Sequence, residues 1–225
     1  MEAISLIDNL LVKGHRAETS AQKLASPDRD RIMAAIYQQT YGDQIKGTLE
    51  CSECEALFDM DFSLGGFVDH THQPQPEATT KRLQDGSYLI SEGLQLRLPT
   101  GEDEMNVMGL SEEELSNKLL ERCIVKGKSE EVQPEALETL SEIAPMLQTE
   151  IASQCPECGH QMSVFFDIQV YLLQSLLQDQ EGLSWEIHRL ATAYGWGLKE
   201  ILELPRSVRK RYSNLIEAEM YTGLS

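Results

Sequence analysis

Two separate stretches of the chain show the period-two alternation of apolar and polar residues that is typical of a strand with one buried face. One follows Cys54 and reads E-A-L-F-D-M-D-F-S-L, and the other follows Cys158 and reads G-H-Q-M-S-V-F-F-D-I. Short strand-like segments also precede the two cysteine motifs, so each unit is predicted to be strand, turn, strand. The apolar positions that match between the units are Phe58 with Met162, Met60 with Val164, Phe62 with Phe166, and Leu64 with Ile168.

Helical periodicity dominates the chain before the first unit. Residues 3–13 form one amphipathic pattern, and residues 27–41 form a second that opens at Pro27 and ends at Gly42. After the first unit, the polar, Pro- and Gln-rich residues 70–80 predict a flexible loop.

The segment between the two units predicts both strands and helices. Residues 88–99 alternate like one or two strands. Ser111 begins a capping box with Glu114, which predicts a helix start at this point. Pro134 opens another helix, which is expected to end or kink at Pro145.

The C-terminal part of the chain is predicted to be helical throughout. Asp167 can cap a helix that follows the second unit. Three further helices are predicted, over residues 184–194, over about 197–203, and from Pro205 onward. Gly195 is the expected stop of the first of these three helices.

Four of the five cysteines form two C-x-x-C pairs, Cys51 with Cys54 and Cys155 with Cys158, with 100 residues between the pairs. Backbone amides in such a tight turn stabilise thiolates, and four thiolates complete a closed tetrahedral zinc site. Closing a flexible loop of this length costs about 4 kcal/mol. A structural zinc contributes about 10–16 kcal/mol near neutral pH. The spacing therefore predicts one structural zinc that both units share.

These patterns together predict an α+β fold. We expect a split four-cysteine zinc ribbon of short antiparallel strands, with surrounding helices and a C-terminal helical bundle. The expected domains are residues 1–44 for the N-terminal helices, 45–166 for the zinc-ribbon region with its inserted elements, and 167–225 for the C-terminal helices.

Other interpretations of the cysteines are weaker. Four reduced core cysteines without metal would not explain the matched flanking strands, and a thioredoxin-like site would open a helix after its C-x-x-C. His70, His72 and His160 could bind a metal, although a solvated loop histidine is the commoner case. Cys123 lies in a helical pattern and is interpreted as a small core residue. Four cysteines leave no open metal position, and no catalytic motif is present, so the sequence predicts no enzyme.

Charge limits the classes of partner. The net charge is −18 and 41% of the residues are hydrophobic. This charge argues against general binding to nucleic acid or to anionic membranes, and it favours a basic protein partner. No apolar run is long enough to span a membrane, and the acidic N-terminus does not resemble a secretory signal. The expected location is therefore the cytoplasm, where cysteines stay reduced.

A basic cluster near the C-terminus raises the possibility of a helix-turn-helix. From residue 184 onward, six Lys or Arg residues stand against five Asp or Glu residues. The cluster of Arg206, Arg209, Lys210 and Arg211 is small for a DNA-binding protein on so acidic a chain. The simpler interpretation is a solvated helix face, with Val208, Tyr212, Leu215 and Ile216 packed inward.

The C-terminal segment resembles that of small baseplate proteins of contractile phage tails. These are the T-even-type baseplate hub assembly proteins and their relatives in phage-like contractile injection systems. The two-unit layout, with L-R-L-P-T at 96–100 and L-L-E-R-C at 119–123, is similar to the longer members. The C-terminal residues that carry the resemblance are His188, Tyr194, Trp196, Glu200, Ile201, Leu202, Pro205, and the helix of residues 206–212.

The resemblance implies a non-enzymatic, chaperone-like assembly factor or a minor baseplate component, whose partners are hub or spike proteins. A zinc-ribbon regulator that binds nucleic acid or transcription machinery is the main alternative, and a zinc hydrolase is a third. Aromatic residues and arginines dominate interface energetics, so we expect a partner surface here, with Trp196 equally well explained as core. Its candidate residues are Tyr194, Trp196, Arg206, Arg209, Lys210, Arg211 and Tyr212.

Overall fold

Helices alternate with short antiparallel strands in the computed structural model, which describes residues 2–11, 20–71, 81–132 and 134–222. The chain divides into two compact units, Met1–Leu172 and Leu173–Ser225. The helices are α1 (Glu2–Leu11), α2 (Ser26–Tyr41), α3 (Leu64–Thr71), α4 (Gly101–Val107), α5 (Glu112–Cys123), α6 (Pro134–Ile143), α7 (Ile168–Tyr194), α8 (Leu198–Glu203) and α9 (Arg206–Thr222), with short 3-10 turns at Ala21–Lys23 and Ser129–Glu131. The strands are β1 (Gln44–Glu50), β2 (Leu57–Ser63), β3 (Lys81–Arg82), β4 (Tyr88–Ser91), β5 (Leu94–Leu96), β6 (Ile124–Lys126), β7 (Gln148–Gln154) and β8 (Gln161–Asp167).

One motif occurs twice, as a helix, a two-stranded hairpin and a second helix, and the first unit contains both copies up to Leu172 in α7. The motif is α2–β1–β2–α3 in the first copy and α6–β7–β8–α7 in the second. Both hairpins are antiparallel and have the same register, because Gln44 pairs with Ser63 and Gln148 pairs with Asp167. The predicted strand–turn–strand units are therefore confirmed, and each is extended by a helix on either side.

The turns of the two hairpins have the same backbone conformation. The Cys51 amide donates to the Ala56 carbonyl at 3.0 Å, and the Cys155 amide donates to the His160 carbonyl at 2.9 Å. Each turn also places one residue in the left-handed region, which is Gly159 (φ 76°) in the second turn. In the first turn the left-handed residue is Glu55 (φ 59°). Its Cβ makes this conformation sterically unfavourable, whereas glycine adopts it freely.

Leu64 and Ile168 begin helices, whereas the alternating pattern assigned them to strands. Both side chains are fully buried. Carboxylates hold both helix starts. Asp167 accepts the amide of Gln169 two residues later, whereas the Gly65 amide is accepted by Asp43, which lies 22 residues earlier, before β1. Capping of the second helix by Asp167 is thus confirmed.

An aromatic cluster joins the two hairpin motifs. Phe62 and Phe166, which occupy equivalent positions in β2 and β8, meet edge to face with ring centroids 5.1 Å apart. Phe67 of α3 and Tyr171 of α7 pack against Phe166 from the two helices, each at 5.8 Å. Edge-to-face contacts of this kind add about 0.5–1.5 kcal/mol each to the burial of the rings.

The chain between the two motifs forms an antiparallel sheet in the order β3-β4-β5-β6. Residues 88–99 supply two of its strands, as the alternation predicts. Leu94 and Leu96 pack with Ala136 of α6 in a small core, and Ile90 and Leu140 pack against it. The insert is thus packed against the second motif.

A buried carboxylate links the first motif to the second. Asp30 of α2 is fully buried and accepts the Leu147 amide at 2.9 Å and the Gln169 side-chain amide at 2.6 Å. Burial raises the pKa of Asp30, and the two donated hydrogen bonds oppose this effect.

A second buried carboxylate, Asp103, holds the start of α4. It accepts hydrogen bonds from Arg97 and, at 2.8 Å, from Arg122, and it closes a capping box with Thr100. The Arg97 guanidinium lowers the pKa of Asp103 most strongly, against the opposing effect of burial. Three chain segments therefore meet at one charged group.

Several sequence-based boundaries change in the structure. The capping box of Ser111 with Glu114 and the helix stop at Gly195 are confirmed. The predicted loop over residues 70–80 begins later, because α3 continues to Thr71, and residues 72–80 lie outside the described part of the chain. The separate helix expected over residues 184–194 is instead the end of one continuous helix, α7.

Helix α7 continues because its single internal glycine does not break it. A side chain at Gly182 would meet nothing within 4 Å, and an isolated glycine costs a helix only about 1 kcal/mol. Leu172 and Leu190 are both fully buried on this helix. Packing of these apolar residues outweighs the local preference for a break.

The second unit consists of residues 173–194 of α7 together with α8 and α9. Its core contains Leu190, Ile201 and Ile216, and Trp196 and Tyr212 pack against them. The predicted C-terminal helical bundle is confirmed as three helical segments around one small core.

Replacing Asp103 with asparagine should destabilise the protein by about 2–3 kcal/mol at neutral pH, because two arginines lose a charged acceptor. The folded pKa lies below the unfolded value of about 3.9, so this stabilisation is fully present above that value and is lost as pH falls below it. Chemical unfolding between about pH 5 and pH 2 should therefore show a shallower pH dependence for Asp103→Asn. Glu102→Gln, an exposed change in the same helix, is the control. If the stability of Asp103→Asn depended on pH as steeply as that of the unsubstituted protein, Asp103 would not be the source of this dependence.

The left-handed positions in the two turns give a matched pair of variants. Gly159→Ala should lower the free energy of unfolding by about 1 kcal/mol, because its new Cβ meets only ordinary contacts and the cost is conformational. Glu55→Gly should raise the free energy of unfolding by up to about 1 kcal/mol. Glu55→Gly removes both the charge and the steric cost of the left-handed conformation, whereas Glu55→Ala removes only the charge. Comparing the two variants in thermal unfolding therefore isolates the conformational contribution.

Candidate metal centre

The two turns bring four cysteine sulfurs to one point. The sulfur atoms of Cys51, Cys54, Cys155 and Cys158 all lie within 4.8 Å of one another. Two of the separations that cross between the motifs are 3.6 Å for Cys51 with Cys158 and 3.7 Å for Cys54 with Cys155. Cys51 and Cys155 are buried, whereas Cys54 and Cys158 are exposed.

The spacing of the sulfurs fits a tetrahedral metal ion. Zinc–thiolate bonds of about 2.3 Å place the sulfurs of a tetrahedral site about 3.8 Å apart, close to the two cross-motif distances. A disulfide would require about 2.05 Å, and all four cysteines are free thiols. Within the described ranges, no other group of three or more His, Cys, Asp or Glu side chains converges in this way.

Backbone amides favour the thiolate form at this cluster. The amide of Glu53, followed by that of Cys54, lowers the pKa of Cys51 to about 6. The Ala56 amide likewise favours ionisation of Cys54, but the neighbouring Cys158 and desolvation outweigh it and raise the pKa of Cys54 to about 12. Four thiolates at such short range require a cation to offset their mutual repulsion.

The other candidate ligands lie outside the cluster. His160 contributes its backbone to the second turn, and His70 lies at the end of α3; neither belongs to the converging group. His72 is outside the described residues. Cys123 is buried at the end of α5, as expected for a core residue, and burial raises the pKa of its thiol to about 11.

The basic residues expected at a partner surface mostly pair within the second unit. Arg206 and Lys210 contact the Asp179 carboxylate at 2.7 Å and 3.6 Å. Arg209 contacts Glu186 at 2.8 Å, and both side chains are largely buried. The sequence did not identify these acids as partners, because they lie a long way from the arginines along the chain.

The aromatic candidates stack on one another. Tyr194 lies on Trp196 with ring centroids 4.8 Å apart, and Tyr212 meets Trp196 edge to face at 5.3 Å. Trp196 and Tyr212 pack against the core of the second unit, whereas Tyr194 is 40% exposed. Tyr194 and the exposed Arg211 are therefore the most accessible of the candidate partner residues, and the surface itself stays a prediction.

No helix in the described part of the chain is long and apolar enough to span a membrane. No curated protein and no solved structure is significantly similar to the chain.

A family model described as T4 bacteriophage base plate protein matches residues 2–173. The match covers more than half of the chain and includes both cysteine turns, and it ends where the second unit begins. The C-terminal residues that carry the resemblance, from His188 onward, all lie beyond this match. By this match over the zinc-ribbon-like first unit, the chain belongs to the family of T4 bacteriophage base plate proteins.

Proposed function

We propose that this base plate family member is a non-enzymatic, chaperone-like assembly factor or minor component of a contractile tail or injection-system baseplate. The family match over residues 2–173 carries the proposal. Its partners would be hub or spike proteins, which it would meet in the cytoplasm where such tails are assembled.

One structural zinc in the four-cysteine site belongs to the same proposal. Cys51, Cys54, Cys155 and Cys158 would hold the ion and would leave no open coordination position for a water or substrate. The bound ion would tie the two hairpin motifs together across the long insert between them. This role suits a protein whose task is to present a fixed binding surface.

The distribution of charge supports a basic protein as partner. Residues 173–225 contain six of the 19 Lys and Arg residues and seven of the 37 Asp and Glu residues, so almost all of the negative charge lies in Met1–Leu172. Electrostatic attraction over such a surface accelerates binding of a basic protein. The pairing of Arg206, Arg209 and Lys210 with acids offsets most of the positive charge that α9 could offer to nucleic acid.

Loss of one cysteine should release the metal and destabilise the first unit. We expect Cys51→Ser to lose stoichiometric zinc and to lower the free energy of unfolding by about 3 kcal/mol or more. Elemental analysis and thermal unfolding measure the two effects. Cys123→Ser, which removes a thiol outside the cluster, should retain the zinc, and an unchanged melting curve for Cys51→Ser would contradict a shared site.

Binding to baseplate subunits tests the proposed function directly. The full-length protein is co-expressed with the baseplate subunits of its own particle, one at a time, and captured at moderate salt with nuclease added. We expect a hub or spike subunit to be retained, because the family match is to base plate proteins. Retention of none of them, or capture of transcription proteins instead, would contradict it; analysis of purified particles then separates a component from an assembly factor.

A further inference from the structure

The two hairpins differ in how their outer edges are covered. On β1, the Tyr37 hydroxyl donates to the Gln44 carbonyl at 2.9 Å. The Tyr171 hydroxyl donates to the Lys46 carbonyl at 2.7 Å and accepts the Lys46 amide at 3.0 Å. The backbone groups that point away from β2 at these two residues therefore have partners, and this part of the edge is closed to another strand.

The equivalent edge of β7 is open. Because the two hairpins share one register, the amides and carbonyls of Gln148, Glu150, Ala152 and Gln154 point away from β8. Phe67 occupies the position equivalent to Tyr171 and has no hydroxyl to offer. Among the described residues, none of these outward backbone groups has a hydrogen-bond partner.

The exposed faces of the two hairpins also differ, because the first carries more charged side chains than the second. The first carries four charged side chains, which discourage strand addition at an edge. The second carries two, the exposed Glu150 and the half-buried Asp167 that caps α7, and Phe165, the cross-strand neighbour of Glu150, is 66% exposed. The charged residues of the first face are Lys46, Glu50, Asp59 and Asp61.

We propose that the β7 edge binds an extended segment of a basic partner subunit, which adds to the hairpin as a third strand. Backbone hydrogen bonds to Glu150, Ala152 and Gln154 would supply the affinity. A Lys or Arg beside Glu150 would supply the specificity. The inference rests on the proposed function, since it takes that partner to be a baseplate subunit.

A second copy of the chain is a poorer occupant of this edge. Each copy carries a net charge of −18, so two copies repel each other. A basic segment gains from the same field, and its apolar side chains would partly cover Phe165.

The test uses the baseplate subunit that the full-length protein retains on capture. Hydrogen exchange is measured with and without that subunit, and we expect the amides of Glu150, Ala152 and Gln154 to exchange about tenfold more slowly when it is bound. Ala152→Pro removes one outward amide and no bond of the hairpin ladder, so we expect about tenfold weaker binding. The matched control is Thr48→Pro, the equivalent change in β1, which should leave binding unchanged.

A second variant covers the case in which a proline prevents folding. Glu150→Lys keeps the backbone intact and should also weaken binding about tenfold, by reversing the charge beside the edge. Zinc content and melting temperature are recorded for every variant. The inference is supported when Ala152→Pro or Glu150→Lys weakens binding in a folded protein.

Other results overturn the inference in different ways. Normal binding by Ala152→Pro, with unchanged exchange in β7, would exclude strand addition and leave the proposed function standing. Ser163→Pro makes the equivalent change on β8. If it abolished binding while Ala152→Pro did not, the contact would lie on the β8 edge instead. Self-association that Ala152→Pro abolishes would make the occupant a second copy. Retention of no baseplate subunit would overturn the proposed function, and strand addition with it.

Discussion

The convergence of four cysteine sulfurs is the contact on which the first unit depends. It joins two turns with 100 residues between them in the sequence, and sulfurs of the two motifs approach to 3.6 Å and 3.7 Å. Thiolates at this range repel one another, while backbone amides favour their ionised form. The site is therefore arranged for a cation, and the edge-to-face contact of Phe62 with Phe166 brings the same two motifs together through apolar surface.

Buried carboxylates supply a second set of constraints. A charged group inside a protein is tolerated only when hydrogen bonds or opposite charges compensate for its lost hydration. Asp30 meets this requirement with two neutral donors from the second motif, and Asp103 meets it with two arginines. Their opposite pKa shifts follow from this difference, because burial has the largest effect on Asp30 and the guanidinium of Arg97 has the largest effect on Asp103.

The duplicated motif gives one architecture two different surfaces. Both hairpins keep the register and turn geometry that the metal site needs. Away from that site their sequences diverge: tyrosines cover part of the edge of β1, while β7 is left open beside Phe165. In the proposed function, one copy would complete the fold while the other would contact a partner.

Features that depend on near neighbours in the chain were predictable from the sequence. Alternation predicted the hairpin strands, the C-x-x-C spacing predicted that the four cysteines converge, and Ser111, Asp167 and Gly195 marked helix ends, since a cap acts within one helical turn. Tertiary structure decided what depends on distant residues: the start of α3 at Leu64, the continuity of α7, the burial of Asp30, and the pairing of the basic helix with acids. Packing and desolvation act between segments remote in sequence, and no local pattern records which segments will meet.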